Sequence, residues 1–188
     1  MPIPTHFESS QVLAPGTYDA TIAELRNSLL VKGDGTSSTW DAEWRNHLVS
    51  NLEILAKQLW KVGLTEIFID GSFVENKDHP NDIDGYIDTG IQIVDQTNMA
   101  ELAQKVSALN NSDPFKIWTW SPESRTFDPG TGKSQLPMWV RYRVELYLHI
   151  EGMFSGIRDK FGYNLQFPSA FRQSRRGFIE KGIIRLRQ

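Results

Sequence analysis

The chain has 188 residues, of which 39% are hydrophobic and 23% charged, with a net charge of −3 and no cysteine. This composition suits one globular domain that buries its own core, and it excludes disulfides and thiolate metal sites. No run is apolar enough for long enough to cross a bilayer, and Met1 to Ser10 lacks the basic and apolar regions of a secretory signal, so a cytoplasmic location with no membrane partner is expected.

The charge is uneven. Residues 141–188 hold ten Lys or Arg against four acidic residues, about +6, and the rest of the chain holds ten against nineteen, about −9. A basic C-terminal part on an acidic body is compatible with phosphate or nucleic-acid contact, and equally with internal ion pairing.

Residues 1–15 read as an arm of a single domain spanning 1–188. Thr17 to Val31 has Ile22, Leu25 and Leu29 at helical spacing, and a longer helix is expected from about Thr39 to Val62, where Trp40, Trp44, Leu48, Leu52, Leu55, Leu59 and Val62 recur, with Gly63 as its stop. Glu66 to Asp70 (EIFID) reads as a strand, Gly71 to Asn81 as a turn region, and Asp82 to Asp88 (DIDGYID) as a second strand by its alternation. A helix is expected over Asn98–Leu109, a strand over Phe115–Trp120, a loop over Ser121–Leu136, and a long strand over Trp139–His149. A short helix near Pro168–Ser174 and a last strand near Gly182–Leu186 complete the reading. Helices followed by mixed strands and helices give an α+β class with a mixed or antiparallel sheet.

The informative stretch is FIDGSFVENKDHPNDIDGYID, Phe68 to Asp88. Asp82 and Asp84 stand two apart on a strand, so their side chains share a face. Paired carboxylates repel one another, and a divalent cation removes that penalty. Mg²⁺ takes one or two carboxylates together with substrate phosphates. The Gly71-Ser72 turn lets backbone N–H groups approach phosphate. On the strand expected at Trp139–His149, Arg141, Arg143, Glu145, Tyr147 and His149 fall on one face, with Glu145 as a third carboxylate and the two arginines as phosphate ligands beside it. Three carboxylates suffice for nucleotidyl transfer assisted by Mg²⁺ or Mn²⁺, with Glu145 assisting deprotonation.

With these residues in view, the chain resembles the DNA polymerase β-type nucleotidyltransferases, whose motif is Gly-Ser, a loop, Asp-x-Asp and a later carboxylate. Here the motif falls on Gly71, Ser72, Asp82, Asp84 and Glu145. The stretches GSFV…PNDID, QLPMW…VELY and FPSAFRQSRRG resemble those of small bacterial and phage-borne proteins of that type, over residues 13–188. The resemblance implies a nucleotidyltransferase-like sheet with helices on one face and N-terminal helices. It also implies metal as Asp82, Asp84 and Glu145 would bind it, a nucleoside triphosphate at Gly71 and Ser72, and an acceptor hydroxyl on RNA, protein or a small molecule. A toxin–antitoxin or phage-defence partner is a further implication. The chain departs from the pattern by lacking a second glycine after Gly-Ser, where Val74, Glu75, Asn76 and Lys77 stand. Two alternatives remain open: a catalytically inactive module that binds and neutralises a toxin, and a metal-dependent nuclease, for which no lysine flanks Glu145.

Other signals are weaker. Gly130-Thr131-Gly132-Lys133-Ser134 ends like a phosphate-binding loop, but Phe127 stands where the pattern needs glycine, and a surface loop is expected. Arg172, Arg175 and Arg176, with Arg158, form a basic cluster that suits either phosphate or the acidic body. His79 and His149 read chiefly as surface or packing residues, and Trp118, Trp120 and Trp139 as core.

Overall fold

The computed structural model describes residues 1–175 and 177–188 and has a mixed α+β architecture. Among these residues the strands are β1 (Thr17–Thr21), β2 (Ile67–Asp70), β3 (Ile83–Gln92), β4 (Thr126–Asp128), β5 (Lys133–Gln135), β6 (Val144–Glu151) and β7 (Ile183–Arg187). The helices are α1 (Ile22–Asn27), α2 (Leu29–Lys32), α3 (Ala42–Lys61), α4 (Gln96–Ser112), α5 (Pro137–Tyr142) and α6 (Phe167–Ala170). Five strands form one sheet in the order β1-β7-β2-β3-β6, and β4 and β5 form a separate hairpin. Within the sheet, β1/β7 and β3/β6 are parallel, and β7/β2 and β2/β3 antiparallel. No described helix is long and apolar enough to cross a membrane.

The start of the chain corrects the expected helix over Thr17–Val31. Thr17–Thr21 is a strand, because Tyr18 and Ala20 face the core while the backbone pairs with β7. Thr21 then caps α1: its hydroxyl accepts from the Glu24 N–H at 3.2 Å, and the Glu24 carboxylate accepts from the Thr21 N–H at 2.7 Å. Nor is the arm loose. Phe7, Val12 and Leu13 are buried, and Leu13 bridges two segments by donating to the Val74 carbonyl and accepting from the Gly182 N–H.

α3 follows its sequence signature. Asp41 accepts from the Trp44 N–H at 2.9 Å to start it, and Gly63 adopts φ +77° to end it. Its Leu48, Leu52, Leu55 and Leu59 are fully buried against Ile67, Ile69, Ile83, Ile87, Val144 and Leu146 of the sheet. Each such leucine contributes roughly 1.5–3 kcal/mol. α1 to α4 all feed this core on one face of the sheet, and the short α6 lies on the other, where Phe167 and Phe171 pack on Tyr86 and Tyr147. The expectation of helices on one face alone is corrected to that extent.

Two further elements differ from expectation. The strand expected over Trp139–His149 is a helix up to Tyr142, a left-handed Arg143 at φ +53°, and a strand only from Val144. Pro137 presets the first turn of α5, and Met138, Trp139 and Tyr142 turn inward at helical spacing. Phe115–Trp120 forms no strand. Its backbone is satisfied by a side chain instead, since the Asn110 amide accepts from the Trp118 N–H at 2.9 Å and donates to the Trp118 carbonyl at 2.7 Å.

Candidate functional site

Strand pairing puts Asp70 of β2 opposite Asp84 of β3, and Asp84 opposite Glu145 of β6. The alternate residues Ile69, Ile83 and Val144 belong to the helix-side core, so all three carboxylates project from the opposite face. They form a transverse row across three neighbouring strands. Asp82, one residue before β3, has the same parity as Asp84 and lies close enough to influence its ionisation.

The turn after β2 is shaped by this row. Gly71 has φ +73°, and a Cβ there would lie 2.3 Å from Asp84 Oδ2, so only glycine lets the chain leave β2 past the carboxylate. Residues 71–74 then form one 3-10 turn carrying Ser72, with Phe73 and Val74 driven into the core. The following segment is fixed from below by Arg45 of α3, which is fully buried. Its Nη1 donates to the carbonyls of Leu30 and Phe73 at 2.6 and 2.8 Å, and its Nη2 to those of Glu75 and Lys77 at 3.1 and 2.6 Å. Burial lowers the guanidinium to about 9, which still leaves it charged at neutral pH.

Each carboxylate has its own partners. Asp82 Oδ2 accepts from the indole N–H of Trp139 at 2.6 Å, so this tryptophan of α5 orients a site residue besides packing in the core. Glu145 Oε1 is 3.4 Å from Arg125 Nη1, and the same Arg125 nitrogen donates to the Ser134 carbonyl at 3.0 Å, tying the site to the β4–β5 hairpin. Asp70 is fully buried with its Oδ1 3.0 Å from Lys181 Nζ, and Lys181 also donates to the Gly71 carbonyl and to Glu75 Oε1, each at 2.8 Å. Burial alone would depress the Lys181 ammonium, but the Asp70 and Glu75 carboxylates outweigh it and leave it raised. Asp84 is pushed up to about 7, first by burial and then by Asp82 and Glu145, against the pull of Arg175 and Lys181.

Asp82, Asp84, Glu145, Arg125 and Lys181, with Gly71 and Ser72, line a cavity of about 780 Å³, whereas Asp70 and Trp139 lie behind its wall. The volume is within the usual range for small-molecule sites. The loop expected over Ser121–Leu136 is corrected to one that contains the β4–β5 hairpin, and its Gly130, Thr131, Lys133 and Ser134 also line the cavity. Among the described residues no three histidine, aspartate or glutamate side chains converge to hold an ion unaided.

Five of the residues singled out from the sequence therefore share one cavity: Gly71, Ser72, Asp82, Asp84 and Glu145. Arg141 and Arg143 do not line it, because α5 replaces the strand that would have aligned them with Glu145. Arg141 lies over the Phe115 ring at 4.1 Å and Arg143 over the Trp139 ring at 3.9 Å. His79 pairs with Asp41 at 2.8 Å, and His149 packs edge-on against Tyr86. Arg172 ties the chain to Gly16 and Thr17, Arg175 lines the cavity, and Arg176 lies outside the described residues. Sequence reasoning missed Asp70, Lys181 and Arg125. Only Asp70 carried a signal, as the polar residue at the end of an apolar strand.

Comparison with curated proteins and with solved structures gives no match. A family model does match, over residues 5–187, and by that span the chain belongs to the family described as a family of unknown function, DUF6932.

Proposed function

We propose that this chain is a metal-dependent nucleotidyltransferase, which transfers a nucleoside monophosphate from a triphosphate to an acceptor hydroxyl. The observation that carries the reading is the crowding at Asp84. A carboxyl raised to about 7 by burial, Asp82 and Glu145 sits beside a glycine turn that the same carboxyl makes obligatory. The donors are hard oxygens, and Asp82, Asp84 and Glu145 crowd one another on the sheet side of the cavity, which fits Mg²⁺ or Mn²⁺. Asp82 and Asp84 would hold the ion, with Glu145 beside them. Because no three side chains form a closed cage, substrate phosphates would complete the shell, as is usual for Mg²⁺. When bound, the ion would neutralise the carboxylates and polarise the phosphate under attack.

The chain's own groups have separable tasks. The backbone of the Gly71-Ser72 turn and the Ser72 hydroxyl would cradle the terminal phosphates. Arg125 and Arg175, both on the cavity wall, would pair with phosphate oxygens. Trp139 holds Asp82 in place by its indole N–H. Glu145 would take the proton of the acceptor hydroxyl as its oxygen attacks the α-phosphorus, the bond to the bridging oxygen breaks, and pyrophosphate departs. Lys181 takes no part in transfer, since Asp70 and Glu75 already neutralise it.

The test is transfer of α-phosphate label from each of the four nucleoside triphosphates, with Mg²⁺ or Mn²⁺, into cellular RNA and protein. Asp82→Ala/Asp84→Ala is the control. Label in one fraction that vanishes in the variant supports the reading. No label, together with no metal-dependent nucleotide binding, replaces it with a binding module of the toxin-neutralising kind. Strand cutting without any nucleotide replaces it with a nuclease.

A further inference from the structure

The segment between β6 and α6 is a built hairpin that leaves its largest side chains in water. Ser155 N–H and hydroxyl both donate to the Leu165 carbonyl, at 2.8 and 2.6 Å, and Leu165 N–H returns a bond to Ile157 at 2.9 Å. At the tip, Asp159 Oδ1 accepts from the N–H groups of Phe161 and Tyr163 at 2.8 and 2.9 Å, and Gly162 at φ +90° closes the turn. The only acidic side chain of the hairpin is thus spent on its own backbone. What the hairpin displays is aromatic and cationic. Phe161 and Tyr163 at the tip are 74% and 72% exposed and Phe154 at the base of the stem 63%, with exposed Arg158 and Lys160 between them, and Lys160 lies 5.1 Å from the Phe161 ring centroid. Three aromatic rings held out by an ordered scaffold are unusual on a surface with no partner.

The hairpin also adjoins the cavity. Ile157, from its stem, lines the cavity together with Arg175 and Ile179. Arg158, Lys160 and Arg175 are exposed beside it. We infer that this hairpin and the basic rim beside it form a platform for single-stranded nucleic acid, on which unpaired bases stack while the cations meet the phosphates. An apolar peptide would leave the cations unpaired, and a duplex would hide its bases from the rings. The role of the bound strand as acceptor, placing a ribose or terminal hydroxyl at the cavity mouth, rests on the transferase reading. The binding itself does not.

The experiment measures anisotropy of a fluorescent 12-nucleotide strand, as RNA and as DNA, with the matching duplex and phosphatidylserine vesicles as comparison. It uses the full chain carrying Asp82→Ala/Asp84→Ala and no nucleotide, so the outcome is independent of catalysis. Single strands of either sugar should bind, the duplex much more weakly, and the RNA/DNA ratio then names the source. Phe161→Ala/Tyr163→Ala should weaken binding by tenfold or more with the salt dependence kept. Arg158→Gln/Lys160→Gln should reduce the slope of log affinity against log salt by about 1.4. All four positions are exposed, and unchanged melting temperatures would show that the variants fold. Absence of strand binding, equal binding of duplex, binding to vesicles alone, or affinity untouched by the aromatic pair would each overturn the inference. If strands bind but the unmodified chain neither transfers label nor binds nucleotide with metal, the platform stands and the transferase reading fails. If label reaches protein or a small molecule and no strand binds, the reverse holds.

Discussion

At Gly71, one added methyl group would have two costs. Its φ of +73° disfavours any side chain, and the new Cβ would meet Asp84 Oδ2 at 2.3 Å, with Asp84 Cβ and Cγ at 2.8 and 2.9 Å. Either β2 and β3 part or the carboxylate moves. Gly71→Ala is therefore expected to lower stability by about 2–4 kcal/mol, combining backbone strain with overpacking, and to abolish nucleotide binding. Urea unfolding and nucleotide titration of the same sample would check both. Asp84 itself carries a pH signature. Its carboxyl titrates near 7 in the folded chain against 3.8 for the ordinary group, so the folded state holds this proton the more tightly. That contribution to stability is fully present below about pH 4 and is lost as pH rises through about 7. Asp84→Asn removes the charge that burial opposes. The variant should melt about 5 °C above the unmodified chain at pH 8, converging with it at pH 4, on the basis of about 1–2 kcal/mol. It should also lose all transfer. A variant that melts lower at pH 8 would contradict the crowding at Asp84.

Between elements, Lys181 decides how the end of the chain meets the site. It stands two residues before β7, is 4% exposed, and binds the last residue of β2, the Gly71 carbonyl and Glu75 together. Lys181→Met would leave Asp70 buried and unpaired, at a cost of about 3–5 kcal/mol. Asp70→Asn/Lys181→Met should recover much of that loss, because neither charge then remains alone. Equal instability of the single and double variants, in denaturant melts, would show that Lys181 acts by packing. The same residues show why part of the site was legible in sequence and part was not. Asp82, Asp84 and the glycine turn lie within fourteen residues, and strand parity alone puts the two aspartates on one face. Asp70 and Lys181 come together only through strand order, and nothing local in the sequence says that β7 lies beside β2, while Arg125 reaches Glu145 from beside the separate β4–β5 hairpin. Arg141 and Arg143 failed for another reason. The run WVRYRVELYLH satisfies both a period of two and, over its first residues, a helical turn, and the flanking Pro137 was the cue that decided between them. β1 was hidden likewise, since Thr17–Thr21 is a strand only by virtue of its parallel partner β7.

Across the whole molecule, one core on the helix side of the sheet holds a row of charge on the other side. Leucines of α3 and isoleucines of β2 and β3 fix the strand positions to within a side chain, and the carboxylates inherit that precision without contributing to the packing. The cost appears as repulsion at Asp84 and as an ion pair buried at Asp70. A ligand that relieves the repulsion must therefore stabilise the entire fold, because core and site share β2, β3 and β6. Mg²⁺ or Mn²⁺ together with the correct nucleoside triphosphate, at about a hundred times the dissociation constant, should add about 2.7 kcal/mol, a rise of roughly 5–10 °C in melting temperature. Ca²⁺ should reproduce part of this rise without supporting turnover, since it supplies charge with a looser coordination shell. Scanning the four triphosphates by melting temperature would name the preferred base before any acceptor is known. Asp82→Ala/Asp84→Ala should be blind to all of them. A rise of the same size in that variant would put the ligand elsewhere on the protein and detach the carboxylate row from nucleotide binding.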